Sequence, residues 1–235
     1  MLLEVKNLDA GYGYLQILRG VSLNIDEGEY VGIVGPNGAG KSTTMKAIAG
    51  LIAPMGGSIA FNGEDITGLS ASQITKKGIS FVSEEMNLFV NMSVQENLYM
   101  GAYIIKDKKV RNERLDFVFS LFPRLVERKA QLAGTMSGGE RKMLAIGRGM
   151  MSDPKLLIVD EPSFGLAPQL VSHVFESIDA LKSNGVTILL VEQNVTKTLA
   201  VTDRGYILEN GKVGLQGKSS DLAANPHVKK VFLGV

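Results

Sequence analysis

The sequence predicts an α/β domain with a mostly parallel core sheet, an antiparallel β part and a helical insertion. Three observations carry this. The short apolar runs YVGIVG, KLLIVD and VTILLVE end in glycine or an acid and read as strands buried on both faces, as in a parallel sheet. Segments of helical spacing separate them. From about Met86 to Thr135 no strand pattern is found, and only helical spacing remains.

The elements follow in order. Leu2 to Leu8 and Leu18 to Ile25 alternate apolar residues with β-formers and read as strands. YVGIVG, residues 30–35, is a buried strand, and a helix runs from near Lys41 to Gly50. GGSIAFNG is a short strand closed by the turn pair Asn62-Gly63. Ser72 to Lys77 is a short helix, and ISFV another buried strand. SVQENLYMGAY and the charged segment Lys106 to Phe122 are helical. The parallel pattern then resumes with a helix from Ser137 to Met151, strand KLLIVD, a helix from Pro168 to Asn184, strand VTILLVE and a helix after Asn194. RGYILENGKVGLQG is a hairpin around Asn210-Gly211. The expected organisation is one domain over residues 1–235, with the helical subdomain at about 86–151.

Composition narrows the function. With 25 basic and 24 acidic side chains the formal charge is +1, so no basic footprint points to nucleic acid. Cysteine is absent, which excludes disulfides, thiolate metal sites and cysteine catalysis. MLLEVKNLDA carries Glu4 and no apolar signal core, and the apolar runs are too short to span a bilayer. A mean hydropathy of +0.11 fits a large buried sheet and an apolar docking surface.

Two stretches look built to hold an anion. Gly35 to Ser42, GPNGAGKS, matches GxxxxGK[ST] at every position, between a predicted strand and a predicted helix. Glycines let the backbone wrap a phosphate with its N–H groups turned inward; Lys41 reaches the β- and γ-phosphates, and Ser42 ligates Mg²⁺. In KLLIVDEP, Asp160 would hold Mg²⁺ at the strand's carboxyl end, and Glu161 is placed to orient or deprotonate an attacking water. The second stretch is MSGGER. Ser137 and Glu140 fit a capping box, yet capping does not need Gly138 and Gly139, which weaken a first helical turn by roughly 1 kcal/mol each. Bare N–H groups there suit a γ-phosphate.

GPNGAGKST, MSGGER and LLIVDEP, in that order and spacing, resemble the ABC-type ATPases, and the resemblance covers nearly the whole chain. It implies a P-loop NTPase fold of the ABC type. It also implies ATP and Mg²⁺ as cofactors and a head-to-tail dimer with a second ATPase subunit, the same or a related chain. The signature of one subunit, Ser137, Gly138, Gly139 and Glu140 here, closes over ATP held by the other. That ATP sits on Gly35, Pro36, Asn37, Gly38, Ala39, Gly40, Lys41, Ser42 and Thr43, with Tyr12 stacked on adenine. Glu161, Gln193 and Lys41 are the implied catalytic residues, and Ser42, Glu84 and Asp160 the metal-binding ones.

Three positions depart from the family's commonest pattern. Glu84 stands where it usually has glutamine, Gln193 where it has histidine, and Ala167 where many relatives have aspartate. Together with SFGLAP and VEQN they look like the ATPase subunits of branched-chain amino acid importers. This implies a peripheral protein on the cytoplasmic face of the cell membrane, bound to permease subunits and served indirectly by a solute-binding protein. The alternatives are an importer of urea, other amides or polar amino acids, a soluble non-transport ABC ATPase, and an ATP-binding regulator without turnover. Met86, Leu88, Phe89, Val90 and Met92 are a candidate permease floor or, alternatively, ordinary core.

Overall fold

The computed structural model describes residues 1–230. In chain order the elements are β1 (Leu3–Tyr12), β2 (Leu15–Ile25), β3 (Tyr30–Val34), α1 (Lys41–Ile48), β4 (Gly56–Phe61), β5 (Glu64–Asp65), α2 (Ala71–Lys77) and β6 (Ile79–Val82). Then come α3 (Val94–Gly101), α4 (Lys108–Leu121), α5 (Pro123–Glu127), a 3₁₀ turn at Ala133–Thr135, α6 (Gly138–Met150) and β7 (Leu156–Asp160). The remainder is α7 (Pro168–Ser183), β8 (Thr187–Glu192), α8 (Val195–Val201), β9 (Arg204–Glu209), β10 (Lys212–Lys218), α9 (Ser219–Ala224) and α10 (Pro226–Val228).

The chain divides into two compact units, one of Met1–Lys77 with the chain from Thr187 onward, the other Gly78–Val186. In the first, β2-β1-β4-β5 form an antiparallel sheet. A second sheet places β3 between β8 and β9, parallel to both, with β10 antiparallel on β9. Every residue of β3 and β8 is buried, as their continuous apolar runs require. Arg204 fastens the edge of this unit. Its guanidinium grips Glu29 through both carboxylate oxygens at 2.8 and 2.9 Å and donates to the Asn24 carbonyl, and the hydrogen bonds to Glu29 raise its pKa further.

In the second unit β6 and β7 pair in parallel, and α3 to α6 lie between them in sequence. Glycines let α6 come close to this pair: a Cβ on Gly149 would sit 2.8 Å from Val82 and 3.1 Å from Ser80. Ser93 and Glu96 cap α3 reciprocally.

The structure extends the sequence reading at two places. β1 and β2 run on to Tyr12 and Leu15, beyond the apolar alternation. Here the register of the hairpin, not side-chain propensity, makes the strands: Gly11 pairs with Gln16, and a side chain on Gly11 would strike the Leu15 carbonyl. α5 has five residues and opens on Pro123, too little for a periodic signal.

The β9–β10 turn braces the phosphate loop. Gly211 N–H donates to the Ala39 carbonyl at 3.0 Å, and the Gly211 carbonyl accepts from Arg19 N–H at 2.8 Å. Gly211 (φ 76°) packs so closely that a Cβ would overlap the Ile17 carbonyl oxygen, whereas Gly63 (φ 78°) has open space. Gly63→Ala therefore costs only the left-handed penalty of roughly 1–2 kcal/mol. Gly211→Ala adds an overpacking cost of roughly 1–3 kcal/mol. Urea unfolding of the two variants measures the difference; equal losses would show that the turn is not held against β2.

Candidate functional site

In the first unit the chemistry gathers at the carboxyl ends of β3 and β8. β3 delivers the chain into Gly35 to Gly40, whose crest, Pro36 to Gly38, is exposed while Gly35, Ala39 and Gly40 are buried. Gly40 is the N-cap of α1 at φ 102°, and no side chain caps the helix. A Cβ on Gly40 would meet Leu18 of β2 at 2.6 Å, so both conformation and space demand glycine. Lys41 is buried and turns back over the loop, its ammonium donating to the Gly35 carbonyl at 3.0 Å. Ser42 is half-buried and Thr43 buried on the first turn of α1. A glycine-lined backbone, a helix start without a side-chain cap and a lysine over the loop fit a polyphosphate.

Parallel pairing sets Val34 level with Glu192. Gln193 thus follows β8 at the height where Gly35 follows β3, and it is exposed. Asn194 caps α8 through its side chain. Tyr12 ends β1 and is 47% exposed, on the same hairpin that packs Leu18 against Gly40. His173 and His227 are exposed surface residues.

The second unit holds the remaining predicted residues. Asp160 ends β7 and is buried, as is Glu161. Val82 pairs with Val159, so Glu84 leaves β6 beside the end of β7, half-buried rather than a surface acid. Glu161 has φ 44°, in the left-handed region, immediately before Pro162.

Ser137 is the N-cap of α6, and its capping box with Glu140 is complete. The Glu140 carboxylate accepts from Ser137 N–H at 3.0 Å and pairs with Arg128 Nε at 2.6 Å. Burial pushes the Glu140 carboxyl up, but the Ser137 backbone and hydroxyl and the Arg128 guanidinium outweigh it and hold its pKa below the ordinary value. A Cβ on Gly138 would meet only a Leu166 methyl at 3.3 Å, and one on Gly139 only Leu170 side-chain atoms at 3.3–3.4 Å. These contacts are tight, but they are with leucine side chains and not with backbone, so a shift of a few tenths of an ångström would admit a Cβ.

Sequence reading missed two cations of α6. Lys142, 4% exposed, donates to the Glu84 carbonyl at 2.8 Å and the Glu161 carbonyl at 3.3 Å. Arg148 donates to the carbonyls of Met86 and Asn87 at 2.7 and 2.8 Å, holding two consecutive positive-φ residues, and burial lowers its pKa. In sequence both read only as helix-surface charges. Asn97, fully buried, accepts from Phe89 N–H and donates to the Phe89, Met92 and Ser93 carbonyls. The loop so pinned presents Phe89 and Val90, 43% and 50% exposed, with Met86, Leu88 and Met92 half-buried. None of the five is core. Met100 and Tyr103, exposed in the same unit, were not foreseen.

Comparison with known proteins gives a consistent picture. The profile of the ABC transporter family matches residues 18–164. The chain is 45% identical over 233 residues to the high-affinity branched-chain amino acid transport ATP-binding protein BraG of Pseudomonas aeruginosa, covering 99% of this chain and 100% of that one. It is 37% identical over 235 residues to the probable branched-chain amino acid transport ATP-binding protein LivF of Archaeoglobus fulgidus, covering 100% and 99%. Among solved structures, the ADP conformation of MJ1267, an ATP-binding cassette of an ABC transporter, is similar with a TM-score of 0.84 at 28% identity, over 100% of this chain and 99% of that one. The dimeric post-hydrolysis state of the ATP-binding cassette MJ0796 bound to ADP and Pi is similar with a TM-score of 0.79 at 25% identity, over 93% and 99%.

The Glu140 cluster makes a pH prediction. A carboxyl whose pKa is lowered on folding stabilises the fold fully above the unfolded glutamate value, about 4.3, and loses that contribution as pH falls through its folded value. Glu140→Gln should therefore be less stable than wild type near neutrality, and the gap should close on acidification below about pH 4.3. Denaturant titrations at a series of pH values test this; a gap that stays constant into acid would refute the charge-based account of the cap.

Proposed function

The chain belongs to the ABC transporter family as an ATP-binding, ATP-hydrolysing subunit, and we propose that it powers the import of branched-chain amino acids from the cytoplasmic face of the cell membrane. The names of the two relatives support the solute. Among the described residues no helix is long and apolar enough to cross a membrane, which suits a peripheral subunit. A permease subunit docks on the pinned apolar loop at Phe89 and Val90, within a helical subdomain at about residues 86–151. A solute-binding protein acts on the far side of that permease.

ATP lies on Gly35 to Thr43, with Lys41 on its β- and γ-phosphates and Tyr12 against adenine. Ser42, Asp160 and Glu84 would supply oxygen donors to Mg²⁺, which would offset charge developing on the phosphates. Glu161 takes the proton of the attacking water, and Gln193 donates a hydrogen bond to the γ-phosphate. The chain pairs head to tail with a second ATPase subunit, so that Ser137 to Glu140 close on the partner's nucleotide. The observation that carries this reading is the first turn of α6: two adjacent glycines that face leucine side chains and no backbone, at a capped helix start. The dimeric relative bound to ADP and Pi supports the pairing.

Two experiments test the reading. Glu161→Gln keeps the side chain's size and removes its basicity. It should bind ATP, lose turnover and accumulate as an ATP-bound dimer on gel filtration; near-normal hydrolysis would remove Glu161 as the base. Ser137→Arg should leave ATP affinity of the monomer intact and abolish ATP-driven dimerisation by light scattering. Collapse of monomer affinity would instead mean that MSGGER serves the nucleotide of its own chain.

A further inference from the structure

Lys142 belongs to neither the phosphate loop nor the signature turn, and the reaction as derived above does not use it. Its ammonium is nonetheless buried and spans two backbone positions that matter to the site, the Glu84 carbonyl at 2.8 Å and the Glu161 carbonyl at 3.3 Å. Burying an ammonium is costly unless it is well bonded, so its place here needs a reason. The Glu161 backbone supplies one. Its φ of 44° lies where an L-residue with a Cβ is disfavoured. Pro162 restricts it further, because a following proline favours extended backbone. Such a conformation persists only where its surroundings impose it. The Glu161 carbonyl is held by Phe164 N–H at 3.2 Å and by Lys142. A charge-assisted bond from an ammonium is roughly twice as strong as one from a neutral donor.

We propose that Lys142 is a positioning residue: it clamps the Glu161 peptide in its left-handed conformation, thereby aims the Glu161 carboxylate, and ties that peptide to the Glu84 segment. Because Lys142 rides on α6, whose N-cap is Ser137, a displacement of the signature turn is transmitted to the carbonyls of Glu84 and Glu161 through one side chain. The proposal rests on the reading of Glu161 as the base.

Lys142→Met keeps the length and removes the charge and donors; Lys142→Arg keeps charge and donors. In the methionine variant kcat should fall about ten- to hundredfold, the cost of a misplaced catalytic group, while KM for ATP stays near wild type. The arginine variant should recover most of the rate. A crystal structure of the nucleotide-free methionine variant should show Glu161 out of the left-handed region. Retention of φ near 44° in that variant would overturn the clamp. So would a kcat within twofold of wild type, or equal losses in the two variants, which would indicate a packing role alone. Wild-type turnover in Glu161→Gln is the separate failure of the base assignment, and it leaves the backbone result standing.

Discussion

Strands buried on both faces can release polar groups only at their ends, and this constraint organises the protein. β3, β7 and β8 are buried at every position. The phosphate loop, Asp160-Glu161 and Gln193 all follow the carboxyl ends of such strands, where ligands bind in open parallel sheets. Register then does the placing. Val34 opposite Glu192 brings Gln193 level with Gly35, and Val82 opposite Val159 brings Glu84 beside the end of β7. Residues far apart in sequence meet because backbone pairing fixes their height, and the apolar runs fix the pairing.

Helix α6 carries the rest. From Ser137 to Arg148 is about 16 Å at 1.5 Å per residue, and along that length the helix bears a capped, glycine-rich start, a buried lysine and a half-buried arginine. Lys142 and Arg148 each donate to backbone carbonyls of the segment after β6. Backbone carbonyls make them insensitive to which side chains that segment carries, so the segment can vary its chemistry without losing its support. At Glu84 it is the main chain that Lys142 holds, not the side chain.

How much of this was legible beforehand depended on whether the signal was local. The buried strands, the Asn62-Gly63 and Asn210-Gly211 turns and the MSGGER capping box are properties of adjacent residues and could be read directly. The far ends of β1 and β2 could not, since pairing makes them strands. Lys142 and Arg148 were illegible for the same reason. A lysine or arginine in a helix reads as a solvated face until its acceptors, up to 62 residues away, are brought to it. The tight packing of Gly211 also needed the fold, because sequence gives the turn but not the β2 carbonyl it rests on.

The two anion-ready helix starts are not equivalent, and the difference orders their use on the proposed reading. α1 opens on a glycine with no capping side chain and has Lys41 over the loop. α6 opens on Ser137 with its own carboxylate, Glu140, already bonded to the N-cap. Glu140 is paired with Arg128, so the turn offers backbone N–H groups rather than a net charge; on the proposed reading it closes on nucleotide already held by the partner's phosphate loop. The catalytic side has a matching asymmetry. Gln193 cannot become cationic where a histidine could, and Glu84 adds a negative charge where a glutamine would not. Of the residues that the proposed reading assigns to the γ-phosphate, Lys41 alone is cationic, and Mg²⁺ would supply the remaining compensation. On the proposed reading such a site would lean on the metal for charge balance and on the geometry at Glu161, whose backbone lies in the left-handed region.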